Sequence, residues 1–277
     1  MKVEVMCRVL RASRSGFYEW RARKARPVDA QEGALKEAMR RIFRASRMTY
    51  GFRSMRRALA KEDLHVGKKR VRRLMRLMGL VATPLKPPPY AALRTAKESK
   101  VCKHRLKRHF KVTRPNRVFT GDITYIWTRQ GWVYLAVVLD LFSRKVVGWA
   151  VSERPDTALV IEAMGVALGR RPYRRWRLMF HSDQGCQYTS EEFRDSLRDR
   201  GVLHSMSRRG QCWDNAPTES WFGTLKQETG LGKWPLENLK EVEEAIFNWV
   251  ETWYNTKRRH SSLDYCSPVE FENKMAA

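Results

Sequence analysis

Val118-Phe119-Thr120-Gly121-Asp122-Ile123-Thr124-Tyr125-Ile126 reads as a strand, rich in β-branched and aromatic residues, that carries one carboxylate. A second apolar run, Leu178-Met179-Phe180-His181-Ser182-Asp183, also ends on an acid. A third acid, Glu219, lies in Asp214-Asn215-Ala216-Pro217-Thr218-Glu219-Ser220-Trp221-Phe222, where Pro217 suits the first turn of a helix. Two strand ends and one helix start can converge, bringing Asp122, Asp183 and Glu219 to one place. Hard divalent cations prefer oxygen ligands of this kind. A pair of such ions can activate the attacking oxygen and stabilise the leaving oxygen of a phosphodiester. Acids placed this close without a cation repel each other and raise each other's pKa. The scheme needs no serine or tyrosine nucleophile.

Outward from these words, the chain alternates strands and helices. Val118–Trp127, Trp132–Leu141 and Lys145–Val151 read as three strands joined by short turns. Asp156 caps a helix that runs to Leu168, and Leu178–His181 is a fourth strand. Thr189–Arg200 reads as a helix, Val202–Met206 as a fifth strand, and a further helix starts near Pro217. Leu239–Tyr254 is a last helix with Val242, Ala245, Ile246, Trp249, Val250 and Trp253 as its apolar stripe. The loop Gln211–Asn215 leads into the Glu219 helix and reads as a segment that flexes to position that acid.

The informative words are Gly121-Asp122-Ile123-Thr124-Tyr125, Asp140-Leu141-Phe142-Ser143-Arg144, His181-Ser182-Asp183-Gln184-Gly185 and Asp214 to Glu219. Lys226 and Glu228 follow, and Tyr254-Asn255-Thr256-Lys257-Arg258-Arg259-His260 closes the set. This ordered set resembles the DDE transposases of the retroviral-integrase superfamily, and more closely the second-reading-frame transposase of the insertion-sequence-three type. The resemblance covers the chain from about Val5 to the C-terminus. It implies an α/β, ribonuclease H-like integrase core with strand and helix order β-β-β-α-β-α-β-α. In that fold the first acid lies on the first strand and the second just beyond the fourth, positions that match Asp122 and Asp183. The implied catalytic and metal-binding residues are Asp122, Asp183 and Glu219, with two Mg²⁺ or Mn²⁺ ions and Asp122 shared between them.

The same resemblance implies recognition of terminal inverted repeats, cleavage to a 3′-hydroxyl and strand transfer. It also implies a homo-oligomeric synaptic complex on double-stranded DNA and a bacterial cytoplasmic, nucleoid-associated setting. Family members are often fused to an upstream reading frame. The partial helical arm here predicts the downstream product, with the upstream-frame protein as a partner. Lys226 falls seven residues after Glu219, within about 20° of it on a helix and roughly 10 Å along the axis, a placement that points it at DNA phosphates. Two other readings stay open on the residues alone. One is a different ribonuclease H-like nuclease that cuts without joining, and the other a DNA-binding regulator whose acids are vestigial.

With 43% hydrophobic and 11% aromatic residues, the 277-residue chain can bury a catalytic core beside smaller modules. Net charge is +26, and its distribution is lopsided. Residues 1–116 carry 33 Lys and Arg against 8 Asp and Glu, a net +25; residues 117–277 carry 22 against 21, a net +1. Clustered cations that neutralise phosphates release counterions, so the excess points to a polyanion partner.

Residues 1–28 read as a helical arm, a partial helix-turn-helix with Ser13 as a cap, and residues 29–82 as a helix-turn-helix-like DNA-binding domain. In the latter, Val71, Leu74, Met75 and Met78 repeat at helical spacing, and Gly79 ends the helix. Lys68, Lys69, Arg70, Arg72, Arg73 and Arg76 form its other face, suited to a DNA groove or to phosphates. Residues 83–116 read as a Pro-rich basic linker, with Pro84, Pro87, Pro88 and Pro89 followed by Lys103, Arg105, Lys107, Arg108 and Lys111, which track the DNA backbone. Residues 117–277 form the catalytic core with C-terminal helices. No run is long and apolar enough for a membrane helix. Five scattered cysteines, Cys7, Cys102, Cys186, Cys212 and Cys266, fit a reduced cytosolic chain.

Overall fold

A computed structural model describes residues 3–10, 12–24, 30–82, 101–208, 211–231 and 235–276. The proline cluster of the expected linker, within 83–100, lies outside the described residues, as do residues 25–29 at the expected boundary between the arm and the DNA-binding domain. The chain divides into two compact units, Met1–Ala82 and Thr83–Ala277.

The first unit is helical: α1 (Val3–Val9), α2 (Arg14–Lys24), α3 (Ala30–Ala45), α4 (Phe52–Ala60) and α5 (Lys68–Leu77). The Ser13 hydroxyl accepts the Gly16 amide at 3.2 Å, capping α2 as its sequence predicts. Leu35, Met39 and Ile42 of α3, Met55 and Leu59 of α4, and Val71, Leu74 and Met75 of α5 are buried. Burying each such side chain contributes about 1.5–3 kcal/mol. The α5 helix ends as Gly79 requires. Its φ is +63°, the Leu80 amide reaches the Met75 carbonyl at 2.9 Å, and the Gly79 amide reaches Arg76 at 3.2 Å.

The second unit holds a five-stranded sheet. Its elements are β1 (Val118–Thr128), β2 (Gly131–Asp140), β3 (Val146–Ser152), α6 (Thr157–Arg170), β4 (Met179–Ser182), α7 (Cys186–Thr189), α8 (Glu191–Asp199), β5 (Leu203–Met206), α9 (Ala216–Thr229), α10 (Leu239–Trp249) and α11 (Pro268–Ala276). Strand order is β3-β2-β1-β4-β5. The β1–β2 and β2–β3 pairs are antiparallel, and β1–β4 and β4–β5 are parallel. This is the mixed sheet and helix order expected from the sequence, with α7 as a short addition.

One sheet face is closed by α6, whose N-cap Asp156 accepts the Leu159 amide at 3.1 Å. Leu159, Val160, Ala163 and Met164 pack with Phe119, Ala136, Val138 and Phe180 in one buried cluster.

Two expected helices differ in detail. The 189–200 helix starts at Glu191, because the Ser190 hydroxyl rather than Thr189 takes the Phe193 amide at 3.2 Å. The 239–254 helix stops at Trp249 and widens into a π-turn over Val250–Tyr254, with the Asn255 amide on the Val250 carbonyl at 3.0 Å. The wider turn aims Asn255 at β3, where its side chain both accepts from and donates to the Val146 backbone at 2.9 Å.

Candidate active site

Asp122 and Asp183 meet because β1 and β4 are parallel neighbours. Thr120 pairs with His181, and each acid lies two residues further along its own strand direction. Strands in this relation run about 4.8 Å apart. Gly121 makes room for the crossing: a Cβ there would stand 2.5 Å from the Phe180 ring. The Asp122 carboxylate accepts the Ile123 amide at 2.7 Å, and that of Asp183 accepts the Gly185 amide at 2.9 Å.

Glu219 lies in the first turn of α9. The start of α9 is pegged to β1 beside Asp122. The Thr218 hydroxyl donates to the Thr120 hydroxyl at 2.8 Å, and the Asn215 amide donates to the Gly121 carbonyl at 3.3 Å. The helix N-terminus also favours a carboxylate.

The electrostatics of the three acids share one sign. Asp122 is pushed well above the ordinary carboxylate range, first by burial and then by Asp183, with Glu219 adding to it and the Ile123 amide opposing. Burial raises Asp183 against the Gly185 amide. Glu219 is raised by burial and by Asp183. No cation among the described residues offsets any of them. In chemistry this donor set fits a hard divalent ion: three oxygen acids, concentrated negative charge and no internal counter-ion. Among the described residues, no group of three or more His, Cys, Asp and Glu side chains is drawn together as a finished metal cage. Asp122 and Asp183 are adjacent, and Glu219 stands near enough to feel the charge of Asp183.

The Gln211–Asn215 loop is anchored, contrary to the flexible segment its composition suggests. Cys212–Asn215 form a 3₁₀ turn, and Asp214 is fully buried. Its carboxylate accepts Arg108 Nε at 2.6 Å, and both Nε and the amide of Arg208, at 3.1 and 3.0 Å. Burial alone would raise this acid. Arg208 and Arg108 overturn that and hold it well below the ordinary carboxylate range. His181 closes the back of the clamp, with its ring nitrogens on Ser205 Oγ at 2.9 Å and the Asp214 carbonyl at 3.0 Å. Burial, then His104, lowers its pKa to about 4, so the ring is neutral at pH 7. Arg108, expected on a DNA-tracking linker, is thus committed to Asp214 and Gln211.

Asp214, Asn215 and Thr218 are the positioning residues that sequence reasoning passes over. They stand inside the motif that ends on Glu219, but polar residues before a helix read simply as caps.

Other motif residues prove architectural. Glu228 receives Trp249 Nε1 at 3.1 Å, Trp253 Nε1 at 3.2 Å and Arg258 Nε at 2.8 Å, with its side chain 2% exposed. Asp140 accepts the Asn116 and Phe142 amides at 2.9 and 3.0 Å, and Arg171 donates to both Asp140 and Glu272. Lys226 shares α9 with Glu219, is half-buried and has its pKa lowered by burial. On α5, Lys68, Lys69, Arg70, Arg72, Arg73 and Arg76 are exposed. Arg73 is engaged by Glu32 at 2.7 Å, and Lys68 and Arg72 lie over the Phe52 ring at 5.7 and 5.1 Å.

Comparison with known families agrees with this architecture. Residues 112–212 and 200–268 match models of the integrase core domain, and residues 30–88 match an HTH-like domain. The protein is a polynucleotidyl transferase of the DDE class with a DNA-binding N-terminal domain. It is 40% identical over 238 residues to the transposase for insertion sequence element IS904 of Lactococcus lactis, covering 86% of this chain and 93% of that one. It is 36% identical over 278 residues to transposase InsF for insertion sequence IS3fB of Escherichia coli, covering 99% and 95% of the two chains. The chain belongs to the IS3-type insertion-sequence transposases. A solved HTLV-2 integrase catalytic core domain overlaps 57% of this chain and 97% of that one, at 19% identity and TM-score 0.45, too low for weight of its own.

Proposed function

We propose that Asp122, Asp183 and Glu219 are the catalytic carboxylates with which this transposase cuts one strand at each terminal inverted repeat of its element. The freed 3′-hydroxyl is then directed at a second phosphodiester. The observation that carries this reading is the pair Asp122 and Asp183 on adjacent parallel strands, with Glu219 near enough to feel the charge of Asp183 and no cation among the described residues offsetting them. The three side chains would hold two Mg²⁺ or Mn²⁺ ions, which supply Lewis-acid neutralisation of the phosphodiester and activation of the attacking oxygen. The Asp214 clamp and the Thr218–Thr120 peg keep Glu219 in place without a counter-charge of their own against it. Lys226 and the basic face of α5, Lys68 to Arg76, contact DNA phosphates.

The working unit is a homo-oligomeric synaptic complex in the bacterial cytoplasm, at the nucleoid, with an upstream-frame protein as its partner. The helical arm of residues 1–28, the DNA-binding domain of 29–82, the linker of 83–116 and the catalytic core of 117–277 divide the labour. The test is a gel assay with labelled element ends and Mg²⁺. Joined products support the reading, products cut but never joined would make the protein a nuclease, and retention without cutting would make it a regulator.

A further inference from the structure

The loop between α6 and β4 and the segment before β1 enclose a cleft of about 420 Å³ lined by Arg114, Arg117, Arg174 and Arg177. Among the described residues, no carboxylate lines it. The two arginines at the end of α6 are spent on structure: Arg170 donates to Glu251 at 2.6 Å, and Arg171 donates to Glu272 at 2.7 Å. Among the described residues, the four that line the cleft have no carboxylate partner, and Arg114, Arg174 and Arg177 are exposed.

The walls are held independently of those four side chains. Arg171 Nε donates to Asn116 Oδ1 at 2.7 Å, and the Asn116 amide donates to Asp140 at 2.9 Å. The Arg117 carbonyl accepts the Met179 amide at 2.9 Å, and the Tyr173 hydroxyl donates to the Arg200 carbonyl at 3.1 Å. Four like charges facing one fixed space repel each other, and an anion entering that space relieves the repulsion.

We propose that this cleft binds the sugar–phosphate backbone of duplex DNA at a point remote from the three acids. Guanidinium forks pair with phosphate oxygens bidentately, and four of them suit successive phosphates better than one small anion. Arg117 borders the entering end of β1, and Asp122 lies five residues on, about 16 Å away at roughly 3.3 Å per residue. The cleft therefore grips DNA away from the reacting bond. It also qualifies the balanced net charge of residues 117–277: the total is near zero, but Arg117, Arg174 and Arg177 are gathered in one place, beside Arg114. The inference rests on the proposed chemistry only for where the reaction occurs, so it is tested without any reaction.

Full-length protein in chelator is titrated with a labelled duplex several helical turns long, over a range of salt. The variant Arg114→Ala/Arg174→Ala/Arg177→Ala should reduce the slope of log K against log salt by about 2.7, near 0.9 for each phosphate no longer neutralised. The matching Arg→Lys triple should restore most of that slope, because the slope counts charge. Arg198→Ala, which removes an arginine paired with Asp195, should leave it unchanged. Thermal melting reports whether the variants fold. An unchanged slope in the folded alanine triple overturns the proposal. So does displacement of DNA by inorganic phosphate far below the concentration at which sodium chloride of equal ionic strength acts, which would mark a small-anion site. Asp122→Asn should keep the full slope, so failure here and failure of the catalytic assignment are read separately.

Discussion

Two sets of acids in the catalytic unit stand in opposite electrostatic states. Where β1 passes the end of β4, burial raises the pKa of Asp122, Asp183 and Glu219, Asp183 adds to the rise of the other two, and no cation among the described residues offsets them. Elsewhere in the same unit, Asp214, Glu228 and Glu272 each take an arginine, at 2.6, 2.8 and 2.7 Å. The second set is charge that the fold has already neutralised, and its contribution is to shape. The first set is charge left open, which costs stability and is relieved only by something that binds. Proximity in the motif does not separate the two: Asp214 and Glu219 are five residues apart, and Glu228 lies on the same helix as Glu219.

The widest expected gap between the sets is in chemistry. Asp122→Asn, Asp183→Asn and Glu219→Gln should each slow joining roughly a thousandfold, about 4 kcal/mol in the barrier, with end binding kept within a few-fold. Near-normal joining by any one of them would sink the assignment. Ca²⁺ in place of Mg²⁺ should likewise support binding without joining, because it accepts longer bonds and more ligands. Full joining in excess chelator would contradict a metal mechanism.

Glu228→Ala should do the reverse. Removing the buried carboxylate that receives Arg258 and two indole N–H groups should cost about 3–5 kcal/mol of stability, read by denaturant unfolding. If instead Glu228→Gln abolished joining in a fully stable protein, Glu228 would belong with the open set.

The pH dependence should separate the sets by sign. Asp214 is held below its ordinary pKa, so its contribution is present above about pH 4 and is lost as pH falls further. Asp214→Asn should lose about 1–3 kcal/mol at neutral pH and little in acid. Asp122 is raised, so its contribution is present in acid and is lost as pH rises. Asp122→Asn in chelator should therefore melt higher than wild type at pH 7, an advantage that shrinks as pH falls and is gone by about pH 4. Parallel pH profiles for the two variants would erase the distinction between the sets.

The smallest effect belongs to Lys226, whose ammonium is half-buried with its pKa lowered by burial. Lys226→Ala should weaken joining about tenfold, near 1.4 kcal/mol, the range of one charge-assisted hydrogen bond. Lys226→Arg should recover part of it, since binding a phosphate depends on charge more than on shape. Unchanged joining in Lys226→Ala would take the residue out of the site.

Much of the fold was legible because periodicity is local. Apolar runs rich in β-branched and aromatic residues marked the strands, the stripe of Val71, Leu74 and Met75 marked α5, and Gly79 marked its end, each set by backbone geometry within a few residues. The acids were legible as residue types on a strand, just past a strand and at a helix start, although β1 runs six residues beyond Asp122. What local pattern does not carry is which distant group meets each charge. Only the tertiary structure decided that Asp214 takes Arg108 from 106 residues away, making an anchor of an expected hinge. It also placed Asn255 against β3 through a π-turn, gave Arg73 to Glu32, and left four arginines facing one cleft without a carboxylate. The physical reason is that ion pairing and desolvation depend on separation in space. A sequence by itself states which charges exist, and the packed chain settles which of them are already answered.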